Sequence, residues 1–267
     1  MSLEKFQLDG EIVIVTGGLG LLGQEYLKAI VEIGGCAISL DKKPWASTPS
    51  TSISIRCDIT REDDLEIVLD QIKAMYPNKP IYGLINNAAL DPKVVGNTLG
   101  ASPNRLESFS RQVWDLELAV GLTGAFLCTK IFGSEMAKNG RGSIINISSV
   151  LGHVAPNQAL YRKEGLPDEQ QNVKPVTYNC IKSGIIGLSR WTATYWASNG
   201  VRCNALLPGG VYNGHSPDFV AKLSKYIPLG RMAKVDEYNS AIQFLLTDAS
   251  SFMTGAELVI DGGQSCW

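Results

Sequence analysis

The sequence predicts an α/β fold, one domain built on a doubly wound parallel sheet of about seven strands with helices on both faces. Three observations carry that prediction. Short β-branched apolar runs alternate with longer amphipathic stretches along the 267 residues, as strands joined by crossover helices must. The strand-like runs are apolar throughout instead of alternating, as in strands buried on both faces. A glycine-rich turn, Gly17 to Gly23, links the first run to the first amphipathic stretch.

Taken in order, Glu11 to Thr16 predicts the first strand and Gly20 to Ile33 the first helix. Leu22, Tyr26, Leu27 and Ile30 share one face of that helix, and Gly34-Gly35 stop it. Cys36 to Leu40 and Ile53 to Arg56 are the second and third strands, Arg61 to Met75 the next helix, closed by Pro77. Ile81 to Ile85 makes the fourth strand, and Asp91 to Pro103 reads as a loop. A long helix follows from Leu106 to Lys138, then the strand Gly142 to Ile147 and a helix from Val176 to Ser198. The strand Val201 to Leu206, a helix near Val235 to Leu246 and the strand Glu257 to Ile260 finish the chain. No linker, internal repeat or low-complexity segment interrupts residues 1–267, so one domain is expected.

Composition narrows the function classes. At 45% hydrophobic, 19% charged and a net charge of −2, the chain has no electrostatic footprint for nucleic acid or an anionic membrane. No apolar run reads as long enough to span a bilayer, and Met1 to Lys5 has no signal-peptide core. The six cysteines, Cys36, Cys57, Cys128, Cys180, Cys203 and Cys266, form no C-x-x-C pair. Neither a metal site nor a disulfide framework is expected, and a reduced, cytoplasmic protein fits best.

Gly18-x-Gly20-x-x-Gly23 lies between the first strand and the first helix, where the dinucleotide-binding fingerprint of the Rossmann fold belongs. Gly17 and Gly18 shape the turn, and the backbone at Gly20, Leu21, Leu22 and Gly23 offers helix N-terminal N–H groups to a pyrophosphate. Asp41 ends the second strand, where a carboxylate receives the adenosine ribose hydroxyls and repels a 2′-phosphate, favouring NAD over NADP. Lys42 and Lys43 are the opposing consideration, since a cation there accepts that phosphate. Asp58, followed by Ile59 after the third strand, is a candidate for the adenine edge or a plain turn aspartate.

Tyr178 and Lys182 stand at i and i+4, on one helix face. A free phenol keeps its proton to pH ~10, and bringing it near neutrality takes about 4 kcal/mol of preferential stabilisation of the phenolate. A neighbouring ammonium supplies stabilisation of that sign.

With these motifs in place, the chain resembles the short-chain dehydrogenase/reductase family over nearly its whole length. Asn86-Asn87-Ala88-Ala89 is similar to the family's N-N-A-G, and Ile145 to Ser149 to the strand ending in the active-site serine. Tyr178 and Lys182 match Y-x-x-x-K, Pro208-Gly209 the P-G after the sixth strand, and Asp261-Gly262-Gly263 the C-terminal D-G-G. The resemblance implies that Ser149 holds the substrate oxygen and Tyr178 exchanges its proton. It implies that Lys182 lowers the phenol's pKa and holds the nicotinamide ribose. Asn87, Ala88, Ala89, Pro208, Gly209 and Val211 would join the cofactor site. Ser148 would be structural.

The chain departs from the family pattern in four places. Leu21 replaces the middle glycine of T-G-x-x-x-G-x-G, giving a spacing more like the branch that acts on nucleotide sugars. The helix asparagine of the family is Gly121 here, which is expected to leave space for a water or open a helix carbonyl to it. Ser149 and Tyr178 are 29 positions apart, so an insertion around 153–173, with little apolar material, is either a polar substrate lid or a surface excursion. Asn213 takes the place of a threonine, within a flexible substrate loop expected around 211–226.

The expected function is an NAD(P)-dependent interconversion of a secondary alcohol and a ketone, on a polar hydroxylated substrate such as a sugar or sugar derivative. A reductase of 3-oxoacyl thioesters or hydrophobic ketones, and a catalytically silent dinucleotide-binding protein, are the rivals. His153 and His215 are expected to flank the pocket. The resemblance implies a homo-oligomer, dimer or tetramer, formed through the two long helices. The apolar run Ile185, Leu188, Trp191 and Trp196 fits either that interface or the core.

Overall fold

The computed structural model describes residues 3–43, 52–90 and 103–266. Seven strands form one parallel sheet: β1 (Ile12–Thr16), β2 (Cys36–Asp41), β3 (Ile53–Arg56), β4 (Ile81–Asn86), β5 (Gly142–Ile147), β6 (Val201–Pro208) and β7 (Glu257–Ile260). Their spatial order is β3-β2-β1-β4-β5-β6-β7. The helices are α1 (Leu21–Glu32), α2 (Glu62–Met75), α3 (Arg111–Lys138), α4 (Val150–His153), α5 (Val176–Tyr195), α6 (Pro217–Ser224) and α7 (Asn239–Leu246).

The unbroken apolar strands are explained by two cores. Along β1, Ile12 and Ile14 point into one, with Leu65, Val68 and Ile72 of α2 and Leu127, Cys128 and Phe132 of α3. Val13 and Val15 point into the other, with Tyr26, Leu27 and Ile30 of α1 and Ile242 and Leu245 of α7. Successive strand residues face opposite sides, so a strand covered on both faces has no solvent-facing position. Chain order reverses between β1 and β4, and the region beyond the C-terminal ends of strands at such a reversal is the usual ligand position in open α/β sheets.

Helix signals follow the same logic. The first turn of α2 carries Glu62, Asp63 and Asp64 and its last turn Lys73, complementing the macrodipole. By contrast α1 begins at Gly20 with no side-chain cap, leaving its first N–H groups available.

Several expectations are corrected. The long helix starts at Arg111, after a short 3₁₀ turn at Leu106–Ser108. It is also long and apolar enough to pass as a membrane span, contrary to the sequence reading, and 56% of that window is buried against the sheet. The flexible loop expected around 211–226 contains the helix α6, with Ser216 as its N-cap and Pro217 in its first turn. The Asp91-to-Pro103 loop lies almost wholly outside the described residues. The insertion is a packed strap. Leu160 joins Leu223, Ile227 and Met232 in a small core, and the Tyr161 ring lies 5.7 Å from Phe219 of α6. Buried Gln171 ties it internally, donating to the carbonyls of Lys163 and Leu166 and accepting from the Lys163 N–H.

Candidate active site

The glycine turn is shaped by contact. Gly17 takes φ +63°, and a Cβ there would stand 2.9 Å from Ala88 Cα. A Cβ at Gly23 would stand 2.2 Å from the Gly17 carbonyl oxygen, so α1 approaches the turn only because position 23 has no side chain. Leu21, where the family keeps glycine, is 44% exposed and meets no such obstacle. From β4, Asn87 Nδ2 donates to the carbonyls of Thr16 and Gly17 at 3.0 and 3.1 Å. Thr16 Oγ1 accepts from the N–H groups of Asn87 and Ala88. These bonds lock the turn to the end of β4.

Asp41 stands beside the same turn, its Oδ2 accepting from the Leu19 N–H at 3.3 Å and its Oδ1 from Lys43 N–H at 3.0 Å. Lys42 is turned toward Asp58, with Nζ 2.9 Å from Oδ2. Asp58 Oδ1 accepts from both the N–H and the hydroxyl of Thr60, an Asx turn. Burial pushes the Asp58 carboxyl up, but the hydrogen bonds from Lys42 and Thr60 outweigh it and hold it below the usual carboxylate range. Ile59 points its side chain into the core beneath Gly124 of α3.

The second half of the site forms where β5, α4 and α5 meet. Lys182, only 7% exposed, donates from Nζ to the Ile147 carbonyl at 2.8 Å and stands 5.8 Å from the Tyr178 ring centroid. Ile147 is two residues before Ser149, so the ammonium stands between the end of β5 that leads to the serine and the Tyr178 ring. Ser149 caps α4, its Oγ accepting from the Leu151 N–H at 3.1 Å. Ser148 is buried, and its hydroxyl donates to the Lys182 carbonyl at 2.7 Å, pinning the turn that carries the lysine. Gly209 donates to the Ile260 carbonyl at 2.9 Å, and Val211 bridges to Ala233. Asp261 accepts from the N–H groups of Gly263 and Ser265, closing the D-G-G turn behind Pro208.

Gly121 does not open a water space. A Cβ there would stand 2.8 Å from Ile181 Cγ2, so the glycine lets α3 and α5 pack closely. The helix is π-wound over Ala119–Thr123, with the Gly124 N–H reaching back to the Ala119 carbonyl. Such segments disturb the regular carbonyl ladder. His153 is not turned to the pocket either: its Nδ1 is 3.2 Å from Glu257. His215 stacks on Phe219 at 5.3 Å and accepts from the Asn213 N–H.

Two residues near the site had escaped the sequence reading. Glu117 is a buried carboxylate on α3, one turn before Gly121, that accepts the hydroxyl of Thr177. Lys174 places its ammonium 3.9 Å from the Tyr178 ring centroid. The available signals were an acid on an otherwise apolar helix face and a lysine just before Pro175.

A dinucleotide fits these residues. The turn is a cradle that a Cβ at Gly17 or Gly23 would fill, an uncapped helix end faces it, and a carboxylate sits at the end of β2. Comparison with known proteins agrees. The family model "short chain dehydrogenase" matches residues 11–162, and "Enoyl-(Acyl carrier protein) reductase" matches 168–265. The NADP-dependent mannitol dehydrogenase of Hypocrea jecorina is 29% identical, over 98% of this chain and 95% of its own. The NAD-dependent glycerol dehydrogenase of Listeria innocua is 27% identical, over 97% and 96%. A short-chain dehydrogenase structure from Leptospira borgpetersenii with bound NAD+ superimposes with a TM-score of 0.81 at 25% identity, over 98% of this chain and 94% of its own. The chain belongs to the short-chain dehydrogenase family, NAD(P)-dependent oxidoreductases that act on hydroxyl groups.

Proposed function

We propose that the protein interconverts a secondary hydroxyl of a polyol or sugar derivative with the ketone, using NAD in preference to NADP. One observation carries the catalytic part: the Lys182 ammonium bridges the end of β5, two residues before Ser149, and the Tyr178 ring. In this reading the Ser149 hydroxyl donates to the substrate oxygen. Tyr178 takes the alcohol proton during oxidation and returns it during reduction. Lys182 favours the phenolate and reaches the nicotinamide ribose. When bound, the nicotinamide supplies or accepts the hydride.

The cofactor is assigned to the cradle of Gly17, Gly18, Gly20, Leu21, Leu22 and Gly23. Asn87, Ala88 and Ala89 lie on one side of its nicotinamide half and Pro208, Gly209 and Val211 on the other. Asp58 and the Ile59 backbone face the adenine. The NAD preference is supported by Asp41 on the turn and by Lys42, whose ammonium is engaged with Asp58. Asp41 meets a 2′-phosphate with like charge.

The polyol assignment is supported by the two relatives whose names specify glycerol and mannitol. It is also supported by the polar groups in a cavity of about 360 Å³ at the start of α5, where Arg105, Glu107, Gln158 and Asn179 stand among a larger apolar lining that includes Leu106 and Val173. The strap at 153–173 and the 211–226 segment act together as the substrate lid in this reading. An acyl-thioester reductase, favoured by the printed name of the C-terminal family model, fits those amide and charged groups less well.

We place the protein in the cytoplasm, as a homo-oligomer. Phe126 of α3 and Trp191 and Tyr195 of α5 are 49%, 61% and 59% exposed, and the two α5 rings stack at 4.6 Å. Such an apolar patch suits a second copy. The test is reduction of NAD and of NADP by the purified protein with a panel of polyols, and oxidation of NADH and NADPH with the matching ketones. Turnover with a polyol and NAD is expected; cofactor binding without turnover on any member would sink the reading.

A further inference from the structure

Tyr178 stands between two lysines. Lys182 follows it by one helical turn, and Lys174 precedes α5, directly before the N-cap residue Pro175. A residue at that position folds back over the first helical turn, where an apolar side chain commonly forms a staple. Here the side chain is cationic, and its Nζ lies 3.9 Å from the Tyr178 ring centroid, closer than the 5.8 Å of Lys182. Two constraints hold it. Pro175 restricts Lys174 to extended backbone, and the Lys174 N–H donates to Gln158 Oε1 of the strap at 2.9 Å. The family motif accounts for Lys182 and leaves Lys174 without a role.

We propose that Lys174 is a positioning residue for the reaction: its ammonium, held over the Tyr178 ring by the strap, biases the phenol toward phenolate. This rests on the assignment of Tyr178 as the acid–base group. A cation over an aromatic face is attracted by the ring's electron density, and a phenolate carries more of that density than a phenol. The other charged groups on elements packed against this turn are engaged elsewhere. Glu117 of α3 takes the Thr177 hydroxyl, His153 of α4 pairs with Glu257, and Arg105 pairs with Glu107 on the same short turn. Lys182 acts on the same ring from its other neighbouring turn, so the two cations add.

The test uses the full chain with NAD and the best polyol, comparing wild type with Lys174→Met, Lys174→Arg and Tyr178→Phe. Removing the cation raises the phenol's pKa, and oxidation needs the phenolate, so the loss falls on the acid side of the profile. Lys174→Met is expected to move the midpoint of log kcat/KM up by about one pH unit and to lower the rate below it about tenfold. The two curves then converge above the midpoint. Lys174→Arg keeps the wild-type profile. A readout independent of turnover is the ultraviolet titration of tyrosinate, taken as the difference from Tyr178→Phe, whose midpoint rises by the same amount in Lys174→Met. Unchanged midpoints in both measurements, or a pH-independent rise in KM alone, would overturn the proposal while leaving Tyr178 as the acid–base group. Full activity in Tyr178→Phe would overturn the assignment of Tyr178 on which the proposal rests.

Discussion

The two halves of the cleft are built differently. On the cofactor side, the contacts are made to main chain: Gly23 lies against the Gly17 carbonyl, and the Asn87 side-chain amide is bonded to the carbonyls of Thr16 and Gly17. On the substrate side, side chains do the joining. The Tyr161 ring lies tilted against Phe219, Lys222 donates to the Arg162 carbonyl, and Arg162 pairs with Asp168. Backbone contact tolerates almost no change in residue size, whereas a side-chain strap can be rebuilt from many residue combinations. Under the proposed function, variation in substrate would therefore fall to the strap and α6, and the dinucleotide chemistry to the turn and the end of β4.

The largest expected effect that sharpens this division is at the junction of the two halves. Lys182→Met removes the buried ammonium that bridges β5 and Tyr178, and kcat/KM is expected to fall about 10³-fold. Stopped-flow kinetics at several pH values checks it. Gly23→Ala comes next, because the added methyl meets the Gly17 carbonyl. The expected result is at least about 30-fold weaker NAD binding by calorimetry, with stability lower by about 1–3 kcal/mol from overpacking. A variant binding NAD normally would break the claim that backbone contact governs that half.

Gln171→Ala probes the other half. It leaves polar groups of Lys163 and Leu166 unpaired, at about 1–3 kcal/mol locally. KM for the polyol is expected to rise about fivefold with the NAD affinity unchanged; equal losses on both sides would erase the division. The smallest effect is at Asp41→Asn, which removes the charge facing a 2′-phosphate. The NAD-to-NADP preference is expected to shrink several-fold, measured as the ratio of kcat/KM values.

Much of the fold was legible because its signals are local. Apolar runs specify strands buried on both faces, and Gly18-x-Gly20-x-x-Gly23 names a turn that only glycine can build. The helix α6 was missed although Ser216-Pro217 is a regular start signal, because the segment was read as loop through its glycines and asparagine. Leu160 and Tyr161 showed nothing in the sequence of their packing on α6, which is about 60 residues away. The same holds for Gly121. An absent side chain reads as open space in a sequence, and only the neighbouring helix shows that Ile181 fills it. Asparagine at 121 would thus test packing more than proton transfer.

Tyr178→Phe tests the central assignment most directly, by measuring NAD affinity and polyol oxidation in the same preparation. The expected result is wild-type NAD affinity with turnover lower by about 10³-fold or more. Turnover within a few-fold of wild type would contradict the assignment of Tyr178 as the proton-transferring group.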